Sequence, residues 1–129
     1  QAASRIHLLG YKSGEDLQRE VGNARFTVLS SEWRENMPYS GLESLAAQTP
    51  IIGARIGGIP ELVEEGKTGV TFESGNAVDL SNSMLKCAAV SALNYSAMQH
   101  SCREYVNARC LQNEYALALV DLYERVIQR

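Results

Sequence analysis

Short apolar runs alternate along this chain with stretches in which apolar residues recur every three or four positions. Arg5 to Leu9 (RIHLL), Ala24 to Leu29 (ARFTVL), Pro50 to Ala54 (PIIGA) and Val70 to Glu73 (VTFE) read as short strands. The second is continuous and β-branched, the pattern of a parallel strand buried on both faces. Between the first two runs, Ser13 caps a predicted helix over Glu15 to Val21, with Asp16 favourable in its first turn. A helix from Ser40 to about Gln48 sets Leu42, Leu45 and Ala46 on one side. Past the turn Ser74-Gly75-Asn76, helical spacing joins Leu80, Met84, Cys87 and Ala88, then Met98, Cys102, Tyr105 and Val106, the second of these helices starting at Asn94 or Ser96. A last helix, Asn113 to about Gln128, repeats Ala116, Leu119, Val120, Tyr123, Val126 and Ile127 on one face. These stripes predict packing faces. Strands that alternate with helices predict an α/β fold around a mostly parallel sheet.

Composition narrows the function. At 129 residues and 45% hydrophobic, the chain is one domain's worth, residues 1–129, with material for an ordinary core. Net charge is −3 with Lys and Arg scattered, which disfavours a nucleic-acid partner. No apolar run approaches membrane-spanning length and no signal peptide is visible, so a cytoplasmic protein is expected. Cys87, Cys102 and Cys110 lack metal-ligand spacing and fall in helical segments, so they read as buried or idle thiols. His7, lone on a strand, reads as structural. The chain opens at Gln1 without an initiator Met, as a sequence entered partway through.

The chemistry concentrates between Ser30 and Glu61. Two loops at the carboxyl ends of predicted strands, each leading into a helix start, lie here in succession; that is where open α/β sheets bind ligands. Glu35 and Glu43 flank the first loop-to-helix junction, with seven residues between them. Ser40-Gly41-Leu42-Glu43 has the form of a capping box, which alone would account for Glu43. Glu35 precedes the helix, between Trp33 and Met37-Pro38-Tyr39, and a carboxylate there suits vicinal hydroxyls. In the second loop, Gly57-Gly58 precedes Ile59-Pro60-Glu61, with Pro60 where a first helical residue is tolerated. This is either a plain tight turn or a backbone cradle for an anion such as phosphate. Arg55 either grips that anion or is an ordinary salt-bridged loop arginine. Trp33 and Arg34 either meet a ligand at the cleft rim or fold onto their own loop. Hydroxyl acceptors beside an anion cradle point to a sugar nucleotide.

The segments Glu35 to Glu43 (ENMPYSGLE), Leu45-Ala46, Thr49 to Ile52, Gly57 to Val63 (GGIPELV) and Gly66 to Gly69 (GKTG) resemble the E-x7-E and following GG-x-x-E signature of GT-B glycosyltransferases of the retaining, group 1 (family 4) type. The resemblance implies a Rossmann-like three-layer fold, the C-terminal nucleotide-sugar lobe of such an enzyme. It implies that Glu35 contacts the transferred sugar and that Glu43 holds the ribose. Asn36, Met37, Pro38 and Tyr39, with Gly57, Gly58 and Ile59, would lie near the sugar and diphosphate, and Gly10, Tyr11 and Lys12 would contact the base. It implies a UDP- or GDP-linked sugar as substrate, no cofactor and no metal ion. The family's chemistry moves the sugar to an acceptor with retention of configuration, in pathways such as polysaccharide biosynthesis, at times on the inner face of a membrane.

Departures from the pattern accompany the resemblance. Pro38 has no N–H to offer. Gln48 stands where a glycine is usual, which in a left-handed conformation costs roughly 1 kcal/mol. No strand pair carrying the family's basic residues precedes Gln1, and no acceptor lobe does. The expectation is therefore a fragment, catalytically silent alone, whose strands at Ile6 and Val28 either come together or leave open edges prone to oligomer formation or strand exchange. The rival reading is a non-catalytic α/β nucleotide-binding or interaction module; G-x-G-x-x-G and Walker-type loops are absent from the sequence.

Overall fold

In the computed structural model, residues 5–110 and 112–128 are described. The elements run α1 (Gly14–Asn23), β1 (Thr27–Leu29), α2 (Tyr39–Ala46), β2 (Ile51–Ala54), a 3-10 turn (Ile59–Leu62), β3 (Gly69–Phe72), α3 (Ala77–Ala88), α4 (Ala92–Arg109) and α5 (Gln112–Ile127). The three strands form one parallel sheet in the order β1-β2-β3, with Thr27 opposite Ile51 and Ile51 opposite Gly69. β2 is central, and all four of its residues are buried.

Successive side chains of a strand point to opposite faces, and β2 uses this to organise two cores. Ile51 joins Leu45 of α2, Leu62 at the end of the 3-10 turn, Val63 just after it, and Cys102 and Tyr105 of α4 on one face. Ile52 and Ala54 join Phe72 and Cys87 of α3 on the other. Helices therefore cover both faces, giving the expected three-layer α/β fold. The buried hydroxyls are satisfied: Ser44 lies 2.7 Å from Thr27 Oγ1 and 2.8 Å from the Thr49 carbonyl, and Thr49 donates to the Val21 carbonyl at 2.8 Å. These bonds bind α2 to β1 and to the end of α1.

Several expectations are corrected. Residues Ile6 to Leu9 are not a strand: Ile6, Leu8 and Leu9 are 69%, 95% and 53% exposed. An apolar run becomes a strand only where a neighbour takes up its backbone hydrogen bonds. Here the sheet ends at β1, whose outer side has no partner among the described residues, and the runs at Ile6 and Val28 do not come together. The Ala24 to Leu29 strand is shortened to three residues. Its start is drawn instead toward α4 and the turn before it: Arg25 donates to the Val90 carbonyl of that turn at 2.5 Å, and Phe26 meets Tyr95 of α4 edge-on at 5.6 Å.

Caps differ as well. Asn76 caps α3 through its side chain, accepting from Val78 and Asp79 N–H groups, and Ser91, not Asn94 or Ser96, caps α4. Ser13 occupies the N-cap of α1 without a side-chain bond. The stripe on α4 is buried as expected at Met98, Cys102 and Tyr105. That of α5 is not: Val120, Tyr123, Val126 and Ile127 are exposed, because no element among the described residues lies over them.

Candidate functional site

The acidic loop follows β1 and the glycine loop follows β2, so neighbouring parallel strands deliver both to the same edge of the sheet. There the two loops are pressed together. The Gly58 N–H donates to the Glu35 carbonyl at 2.7 Å. A methyl group on Gly58 would stand 1.6 Å from the Asn36 carbonyl oxygen, and one on Gly57, at φ 55°, 2.3 Å from that of Glu35. No side chain fits at either position. The twin glycines are thus a seat for the backbone of the acidic loop.

This corrects the expectation of a bare anion cradle. Gly58 and Ile59 are buried, the Gly58 amide is taken by Glu35, and the Ile59 amide faces the Ile56 carbonyl at 3.3 Å. Only Gly57 is exposed. What the seat provides is a fixed position for Glu35. Its half-buried carboxylate accepts from Ser31 Oγ at 2.8 Å, and the Ser31 carbonyl accepts from Ser74 Oγ at 3.0 Å. Sequence reasoning missed both serines; the i, i+4 spacing of Ser31 and Glu35 was their one visible trace.

Asn36, Met37 and Tyr39 are exposed beside Glu35, as is Trp33, while Pro38 is buried. Pro38 ends the loop as the N-cap of α2, so the helix starts one residue before Ser40 and the capping box does not form. Its loss frees Glu43. This residue is exposed, its carboxylate has no hydrogen-bond partner among the described residues, and it lines a groove of about 440 Å³ with Gln18, Gly22, Ala46 and Ala47. The two glutamates therefore meet different neighbours: Glu35 the glycine loop, Glu43 the groove between α1 and α2. The first amides of α2 have no intrahelical partners and favour negative charge between them.

Gly10 and Tyr11 lie exposed before α1, Gly10 at φ 69°, and Lys12 pairs with Glu20 at 3.8 Å. Arg55 takes the salt-bridged alternative. It donates to Thr71 Oγ1 at 3.2 Å and pairs with Asp79 at 3.3 Å, so its charge is already compensated.

Beyond the glycine seat, the 3-10 turn is tied to α4. Tyr105 donates to the Glu61 carbonyl at 2.6 Å, and Arg109 lies 4.2 Å over the Tyr105 ring while bonding Glu64 at 2.9 Å. The Arg109 hydrogen bond holds the Glu64 carboxyl below its ordinary pKa, and burial raises that of Tyr105. Among the described residues, no group of three or more His, Cys, Asp or Glu side chains is gathered as a metal site, and no helix is long and apolar enough to cross a membrane.

Known proteins resemble this chain in sequence and in fold. The profile of the family described as glycosyl transferases group 1 matches residues 1–109. An uncharacterized glycosyltransferase of Methanocaldococcus jannaschii is 32% identical over 83 residues, 64% of this chain and 23% of that protein. Sucrose-phosphate synthase from Thermosynechococcus elongatus superposes with a TM-score of 0.82 at 24% identity, over 97% of this chain and 31% of its own. HepE of Anabaena, solved in complex with UDP, gives 0.80 at 20% identity over 92% of this chain and 33% of its own; it has also been solved with UDP-glucose. The chain spans a third or less of each of these proteins. The fold is that of a GT-B C-terminal lobe, and by the extent of its family match the chain belongs to the group 1 glycosyl transferases.

Proposed function

We propose that this chain is the donor-binding lobe of a retaining glycosyltransferase that takes a sugar from a UDP- or GDP-linked donor and passes it to an acceptor held by another lobe. The observation that carries this reading is the contrast between the two glutamates. Glu35 is fixed by Ser31 and by the glycine seat, and the Glu43 carboxylate is exposed, without a partner among the described residues, beside the α1–α2 groove. In this reading Glu43 accepts from the ribose hydroxyls, Glu35 accepts from hydroxyls of the transferred sugar, and the Gly10 to Lys12 backbone borders the base. HepE, bound to UDP and to UDP-glucose, supports a nucleotide-sugar ligand for this fold.

Departure of the diphosphate requires positive potential. The α2 amides contribute some. Arg55 contributes little, since Asp79 compensates it. The chain alone therefore binds donor and turns over none. The internal use of the Gly58 amide and the pairing of Arg55 favour a second reading, a nucleotide-binding module without chemistry.

Calorimetric titration with UDP, GDP and ADP tests the first. Saturable binding of UDP or GDP is expected. Glu43→Gln should weaken it about 10-fold or more, since a hydrogen bond to a charged group contributes about 1.5–3 kcal/mol. Unchanged affinity in a folded Glu43→Gln would remove the ribose contact.

A further inference from the structure

We propose that Ser31 is a positioning residue for the Glu35 carboxylate, presetting it for the donor's sugar; this rests on the reading of Glu35 given above. A loop glutamate samples several rotamers, and an acceptor that must be ordered on binding contributes less than one held in place beforehand. Here the residue is restrained at both ends. Its backbone carbonyl is held by the Gly58 N–H at 2.7 Å, and its Oε1 by the Ser31 hydroxyl at 2.8 Å.

The anchor is itself anchored. Ser74, in the turn before α3, donates to the Ser31 carbonyl at 3.0 Å. The carboxylate is thus referenced to β1, to the glycine loop after β2 and to the turn after β3, the three carboxyl-end connections of the sheet. An ionised carboxylate has about four lone-pair sites. Ser31 occupies one on Oε1, and Oε2 is left to accept from a sugar hydroxyl. Ser31 does not touch the ligand in this scheme. Its effect on the sugar passes entirely through Glu35.

The wild type, Ser31→Ala, Ser31→Thr and Ser74→Ala are titrated with UDP and with UDP-glucose, and the Glu35 side-chain carboxyl ¹³C resonance is recorded without ligand. Ser31→Ala should weaken UDP-glucose about 3- to 10-fold while leaving UDP within about twofold, the range expected from one side chain that must now be ordered on binding. Ser31→Thr, which keeps the hydroxyl, should restore the affinity. Ser31→Ala should add nothing in a Glu35→Ala background, since a shared pathway is not additive. The carboxyl resonance should move in Ser31→Ala, move less in Ser74→Ala, and return in Ser31→Thr. Equal losses for both probes, or a Ser31→Thr as poor as Ser31→Ala, would overturn the proposal. So would an unmoved resonance, whatever the probes do. A wild type that binds neither probe would instead sink the donor-lobe reading.

Discussion

Gln48 follows α2 at φ 61°, the one non-glycine residue with positive φ among the described residues. A side chain in that conformation costs roughly 1–2 kcal/mol, partly offset by the greater freedom glycine gives the unfolded chain. Gln48→Gly should therefore raise stability by about 0.5–1 kcal/mol, read as a higher urea midpoint with unchanged slope. A midpoint that falls would mean that the Gln48 side chain compensates for its backbone. This position was legible through the resemblance, since a glycine is usual where Gln48 stands and glycine is the residue that takes a left-handed conformation freely. Glu43 was only half legible. Its motif fits both a capping box and a ligand contact; the box does not form, because Pro38 is the N-cap and the helix starts upstream of Ser40.

At the level of elements, the seat between the loops after β1 and β2 is the least forgiving contact. A Gly58→Ala methyl would overlap a carbonyl oxygen at 1.6 Å, and backbone cannot give way as a side-chain tip can. Overpacking of this kind costs about 1–3 kcal/mol, and the denaturation midpoint should fall accordingly. If the protein remains folded, the acidic loop must move, and affinity for UDP-glucose should fall more than affinity for UDP. The sequence marked the glycines as special but not what they accommodate. That partner, the backbone at Glu35 and Asn36, lies far away along the chain, and local pattern carries no information about it. The run at Ile6 failed for a related reason: its composition suits a strand, but a strand is a property of a pair. The bond from Ser74 to Ser31 was hidden for the same cause, since only the folded sheet brings their turns together.

For the molecule as a whole, the two cores sort the thiols. Cys87 and Cys102 are buried and Cys110 is exposed. Iodoacetamide at mild pH should label Cys110 alone in the native state and all three after unfolding, as mass spectrometry would show. Burial pushes the Cys102 thiol from 9.0 up to about 12. A folded pKa raised above the unfolded value stabilises fully below the unfolded value and loses that contribution as pH rises through the folded one. The melting temperature should thus decline across that alkaline window, and less steeply in Cys102→Ala. The three-layer arrangement was readable from the alternation of strand and helix patterns, whereas the extent of the sheet was not, because β1 has a partner on one side only among the described residues. The glycine seat also has a meaning for protein engineering. Two loops whose main chains are moulded to each other form one module, so neither can be lengthened by a residue or exchanged with a homologue's by itself. A graft of either loop has to transplant residues 30–38 and 55–58 as a single cassette.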